Sequence, residues 1–139
     1  MDDTAEIINI LNNRFPNLYK PKSKDICYAT QNRQDAVKQI ALEVEMLIVI
    51  GSTNSSNSNR LKELAERCNI ESVLIDNADD IDWEYIDKFN SFGITAGASA
   101  PESTVQDVIK SLEGRFDTSS TDIGVNNETI YFKLPPELR

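Results

Sequence analysis

The sequence predicts an α/β fold: a four-stranded parallel sheet with helices on both faces, preceded by an N-terminal helix and followed by a C-terminal tail. Two observations carry this. Met46-Leu-Ile-Val-Ile50 is an unbroken apolar run, the mark of a strand buried on both sides, and behind it Leu61, Leu64, Ala65 and Cys68 recur at i, i+3, i+4 and i+7, one face of a helix. The second observation is order. Strand-like and helix-like segments alternate four times, which specifies parallel strands joined by right-handed helical crossovers.

Taken in order, Thr4 to Phe15 reads as a helix with Ile7, Ile8, Leu11 and Phe15 as its apolar stripe. Pro16 stops it, and Asn17 to Lys24 reads as a linker. Asp25 to Thr30 is expected as the first strand and Asn32 to Val44 as the helix behind it. Met46 to Ser52 is the second strand, followed by a helix from Ser55 to Cys68. Glu71 to Ile75 is the third, followed by a short acidic helix from Asp79 to Phe89 with Trp83 and Ile86 inward. Phe92 to Ala96 is the fourth, followed by a helix from Pro101 to Leu112. Gly114 to Asn127 is polar and reads as a connection, and Glu128 to Leu134 reads as a short strand stopped by Pro135 and Pro136. The expected organisation is therefore a helix and linker over 1–24, the α/β domain over 25–114, and a tail over 115–139.

The chain has 139 residues and a net charge of −9, which disfavours nucleic acid and anionic membrane surfaces as partners. It has no histidine and so lacks the commonest general base and metal ligand. Its two cysteines, Cys27 and Cys68, are too far apart in sequence to form a metal motif by spacing. Few cysteines and no secretory leader fit a reducing, cytoplasmic setting, and no apolar run approaches the roughly 20 residues that span a bilayer.

The chemistry lies in the turns. Gly51-Ser-Thr-Asn-Ser-Ser-Asn-Ser-Asn-Arg60 joins a strand to a helix and is rich in hydroxyls and amides without a carboxylate. The unpaired N–H groups and the dipole at a helix start favour an anion, phosphate above all. Ser and Asn also cap helices, but this turn holds more of them than a cap uses. Cys27 to Arg33 and Gly97 to Glu102 are read as two further turns after strands. In a parallel sheet all three share the carboxyl edge, where ligands bind. Ser99-Ala-Pro-Glu102 fits a capping box, a structural reading that stands beside the ligand reading for Ser99. Cys27 reads either as a small buried hydrophobe or as a ligand. Cys68 reads as core, and Asp79, Asp80 and Asp82 read as helix-start and solvent-face charges.

Asp25-Ile-Cys-Tyr-Ala-Thr-Gln-Asn-Arg-Gln34, the Gly51 to Leu61 turn and Thr95-Ala-Gly-Ala-Ser-Ala-Pro-Glu102 together resemble the LytB family of 4-hydroxy-3-methylbut-2-enyl diphosphate reductases. The resemblance runs from about Asp2 to Leu112, with Pro135 to Leu138 similar to the family's ending, and covers only its carboxyl-terminal part. It implies one domain of a three-domain, trefoil-like protein of the non-mevalonate isoprenoid pathway. A [4Fe–4S] cluster there removes a hydroxyl from an allylic diphosphate, with ferredoxin or flavodoxin as electron donor. On the matching motifs, Cys27 is one of three cluster cysteines and Thr30 sits near the cluster. Ser55, Ser56, Asn57 and Ser99 hold the substrate diphosphate.

The departures matter as much. The family's other two cluster cysteines, its substrate-binding histidines and its proton-donating glutamate have no counterpart in this chain. The expectation is a partial reductase, carrying no catalytic residue of its own, inactive alone and without a cluster unless upstream domains are supplied in the same or a separate chain. The alternative is a stand-alone module that binds a phosphorylated ligand without redox chemistry.

Overall fold

The computed structural model describes residues 2–17 and 28–117. Helix α1 spans Asp2–Arg14 and α2 spans Tyr28–Ile40. Strand β1 (Met46–Ile50) is followed by α3 (Ser56–Arg67), and β2 (Glu71–Ile75) by a 3-10 turn (Ala78–Asp80) and α4 (Trp83–Ile86). Strand β3 (Phe92–Ala96) is followed by α5 (Glu102–Arg115). The sheet is parallel and three-stranded, in the order β2-β1-β3, with Ile50 aligned to Ile75 on one side and to Ala96 on the other.

Strand β1 is central because it can be. All five of its residues are fully buried, and a β-rich apolar run tolerates both flanks and both faces being covered. Its side chains alternate. Leu47 and Val49 pack with Val37 and Ile40 of α2 and with Leu61 and Ala65 of α3. Met46, Ile48 and Ile50 pack on the other face with Ile81, Ile86 of α4, and Val108 and Leu112 of α5. Each such aliphatic side chain, fully buried, stabilises the fold by about 1.5–3 kcal/mol. Helices therefore cover both faces, as the sequence predicts.

Gly93 explains how closely α2 approaches the sheet: a Cβ there would overlap Ile40 Cγ2. Helix α3 ends in a Schellman motif. Cys68 is the C-cap, Asn69 takes φ 61°, and the N–H groups of Asn69 and Ile70 bond to the carbonyls of Glu66 and Ala65 at 3.0 and 3.3 Å.

The expected strand over Asp25 to Thr30 is not found where it is described, since Tyr28, Ala29 and Thr30 open α2. The reason is a helical period that starts earlier than the apolar stripe alone suggests: Thr30, Arg33 and Gln34 already stand at i, i+3 and i+4 and share one face. Asp25 to Cys27 lie outside the described residues, as does the expected strand Glu128 to Leu134.

Smaller corrections concern helix ends. The acidic helix is split into the 3-10 turn and α4, with Ile81 and Ile86 buried and Trp83 half-buried. Helix α5 continues through Gly114, and Phe116 stacks on Phe92 with ring centroids 5.4 Å apart. No helix among the described residues is long and apolar enough to cross a membrane.

Candidate functional site

The carboxyl edge of the sheet is built by backbone continuation. Gly51 N–H donates to Ile75 O and Gly97 N–H donates to Ile50 O, both at 2.9 Å, so the ladder runs one residue past each strand before the chain turns away. The turns after β1 and β3 therefore leave side by side. The start of α2 closes a third side. Between them lies a narrow cleft lined by Thr30, Arg33 and Gln34 of α2, Asn57 and Leu61 of α3, and Gly97 and Ala98 of the turn after β3. Its free volume is about 10 Å³, room for one water, so a larger ligand would lie across its mouth rather than inside it.

The Ser/Asn turn divides into two sets of residues. One set holds the turn. Ser52 Oγ accepts from Asn54 N–H at 3.2 Å, and Asn59 Nδ2 donates to Thr53 O at 2.7 Å and to Ser55 O at 3.0 Å. Ser55 is the N-cap of α3, its Oγ accepting from Ser58 N–H at a long 3.4 Å. Its hydroxyl proton remains free to donate. The other set faces solvent: the side chains of Ser56, Asn57 and Ser99 are exposed and make no hydrogen bond among the described residues. The N–H groups of Ser56 and Asn57, the first two residues of α3, precede the first intrahelical bonds and project from the helix end.

Ser99 does not cap α5. The N-cap is Pro101, without a side-chain bond, and Glu102 accepts instead from Gln106 Nε2 at 2.9 Å. The capping-box expectation fails because Ala100 N–H turns back to Gly97 O at 3.0 Å and places Ser99 outside the helix start. Cys68 is only half-buried, because it forms the C-cap of α3 rather than continuing its inner face. Cys27 lies outside the described residues, one position before α2 begins.

Ser58 was not singled out from the sequence. Its Oγ is fully buried and has no hydrogen-bond partner among the described residues. It is wedged between the strand ends, where a Cβ on Gly51 or on Gly97 would collide with it. Both glycines are therefore required by the close approach of α3, a constraint visible only once the two turns are adjacent. Arg33 also went unassigned, although its place three residues after Thr30 would have put it on the same helix face. Among the described residues it is the only charged side chain lining the cleft. No cluster of three or more potential metal ligands occurs among the described residues.

Fold and cleft together define a class: a layered parallel α/β unit whose carboxyl edge gathers donors of hydrogen bonds and one cation, as suits an anion. The sequence profile described as LytB protein matches residues 1–113. The chain is 52% identical to 4-hydroxy-3-methylbut-2-enyl diphosphate reductase of Saccharophagus degradans, covering 100% of this chain and 45% of the relative. It is 50% identical to the reductase of Psychrobacter arcticus, with 44% of that protein covered. The solved structure of the E-1-hydroxy-2-methyl-but-2-enyl-4-diphosphate reductase from Plasmodium falciparum superposes with a TM-score of 0.84 at 33% identity, over 99% of this chain and 44% of that one. The chain belongs to the LytB family. It spans less than half the length of the curated relatives it matches.

Proposed function

We propose that this chain forms the carboxyl-terminal portion of a 4-hydroxy-3-methylbut-2-enyl diphosphate reductase and supplies the surface that holds the substrate's diphosphate. The observation that supports it best is the partition of the Ser/Asn turn: Ser52, Ser55 and Asn59 build the turn, while the side chains of Ser56 and Asn57 take no part in it and Asn57 lines the cleft. On this reading the N–H groups of Ser56 and Asn57, the Ser55 and Ser56 hydroxyls, the Asn57 amide and the Ser99 hydroxyl converge on the phosphate oxygens. They fix the tail so that the allylic carbon bearing the hydroxyl is presented at the centre of the complete protein. Neutral donors suit this task, since a helix end supplies the field without any proton exchange.

A [4Fe–4S] cluster, as the relatives' chemistry calls for, would supply electrons at an open iron, with Cys27 as one thiolate and Thr30 close by. The residues of this chain do not complete such a set. The other cysteine, Cys68, caps the far end of α3, about 18 Å from its start by helix rise. The missing thiolates, the proton donor and the ferredoxin or flavodoxin contact belong on this reading to other parts of the protein, in the same chain or a partner chain.

Calorimetric titration with inorganic pyrophosphate tests the proposal. The chain should bind it, Asn57→Ala and Ser99→Ala should each weaken binding, and the chain alone should form no isopentenyl diphosphate from the allylic diphosphate with a reduced donor. Turnover by the isolated chain, or affinity indifferent to both substitutions, would contradict the proposal.

A further inference from the structure

We infer that Arg33 is the residue that supplies positive charge to the bound anion and sets the preference of this cleft for a diphosphate over a neutral or monoanionic ligand. The inference rests on the diphosphate reading above and adds to it a charged residue that neither the turns nor the comparisons assign.

Three observations carry it. The chain is strongly acidic, with 23 Asp and Glu against 14 Lys and Arg, yet among the described residues the cleft is lined by one guanidinium and no carboxylate. Arg33 is half-buried and has no ion pair or hydrogen bond among the described residues. Its nearest acidic neighbour on α2, Asp35, is already occupied: Gln31 Nε2 donates to it at 3.0 Å and Lys38 Nζ lies 3.6 Å away. The other described arginines are placed differently. Arg60 pairs with Glu63, Arg115 with Asp87, Arg14 lies over the Phe15 ring, and Arg67 is also engaged. An arginine with no carboxylate partner among the described residues, lining a cleft whose other described residues are uncharged, is matched to an anion brought from outside.

The chemistry follows from the fork geometry of the guanidinium. It offers paired N–H groups to two oxygens of one phosphate. The neutral donors of Ser56, Asn57 and Ser99 fix position, but they barely distinguish one negative charge from three. A fixed cation does, because its attraction scales with ligand charge and is strengthened by partial burial. The same charge offsets the repulsion that a chain of net charge −9 exerts on an approaching anion.

The test compares wild type, Arg33→Gln, Arg33→Lys and Lys88→Gln in titrations with inorganic pyrophosphate and inorganic phosphate at two salt concentrations. Lys88 lies beside the Tyr85 ring next to α4, on the opposite face of the sheet from α2, and controls for net charge. Arg33→Gln should weaken pyrophosphate binding about tenfold or more, flatten its salt dependence and reduce the preference for pyrophosphate over phosphate. Arg33→Lys should keep the salt dependence with part of the affinity, and Lys88→Gln should match wild type. Thermal unfolding of Arg33→Gln should be unchanged, because no ion pair or hydrogen bond among the described residues is lost with the guanidinium. Wild-type affinity and salt dependence in Arg33→Gln, or an equal loss in Lys88→Gln, would overturn the inference while leaving the diphosphate reading intact. Failure of the wild-type chain to bind pyrophosphate at all would overturn both.

Discussion

Replacing Gly97 by alanine should destabilise the chain, and replacing Ser58 by alanine should cancel the damage. A Cβ on Gly97 would lie 2.4 Å from Ser58 Oγ, a full ångström inside ordinary contact at 3.4 Å, while its next neighbours, Ser58 Cβ and Ile50 O, stand at 3.7 and 3.8 Å. The collision is therefore with one atom. Gly97 has no positive φ, so alanine meets no backbone strain there and should gain about 0.4–1 kcal/mol from a stiffer unfolded chain. Overpacking costs about 1–3 kcal/mol, leaving the single variant about 1–2 kcal/mol less stable. Ser58→Ala removes a buried hydroxyl that has no partner among the described residues, and should raise stability by about 1 kcal/mol. In the double variant the overlap vanishes, so its stability should exceed the sum of the single effects by about 2 kcal/mol. Urea unfolding of the four proteins measures this coupling. Additive effects, or a Ser58→Ala variant clearly less stable than wild type, would show that the wedge between the strand ends does not position α3 as described.

The remaining predictions concern other parts of the molecule. Tyr85 Oη donates to Glu71 Oε2 at 2.7 Å, and this hydrogen bond, then desolvation and the carboxylate charge, raise the tyrosine above its ordinary 10.0. The neutral phenol is the form favoured by folding. Its small contribution should be complete below pH 10.0 and disappear as pH climbs through the raised value, and Glu71→Gln should bring Tyr85 back toward 10.0 in an ultraviolet titration referenced to Tyr85→Phe. Helix α1 leaves Ile7 and Ile10 more than half exposed, at 57% and 59%, and Phe15 just after it is 51% exposed. That much uncovered apolar surface should drive self-association in light scattering, and Ile7→Ser with Ile10→Ser should reduce it without lowering the unfolding midpoint.

Three of the four expected strands were legible, Met46–Ile50 above all, because short β-prone segments alternate with helical stripes along the chain. Both faces of β1 were implied by the helical stripes on either side of it in sequence. The start of α2 was not legible, because Cys27 to Thr30 mixes an aromatic, an alanine and a β-branched residue in a short segment that suits either state, and its outer face is polar where a strand–helix decision relies on apolar period. The turn after β1 could be recognised as donor-rich, but composition cannot say which hydroxyls close the turn and which remain free. That division depends on Asn59 reaching back to Thr53, a contact across the turn rather than along it. Arg33 and Ser58 escaped for the same reason. Each is defined by what lies beside it in space, the cleft for one and two glycines that follow different strands for the other.

The measurement that tests the account most directly is a titration of the isotope-labelled chain with inorganic pyrophosphate, followed by amide chemical shifts. The largest changes should fall together on Ser56, Asn57, Ala98 and Ser99, with Arg33 Nε–H shifting in parallel and saturating at the same ligand concentration. Changes confined to exposed lysines away from the carboxyl edge of the sheet, or none at Ser56 and Asn57 when the ligand is saturating, would contradict it.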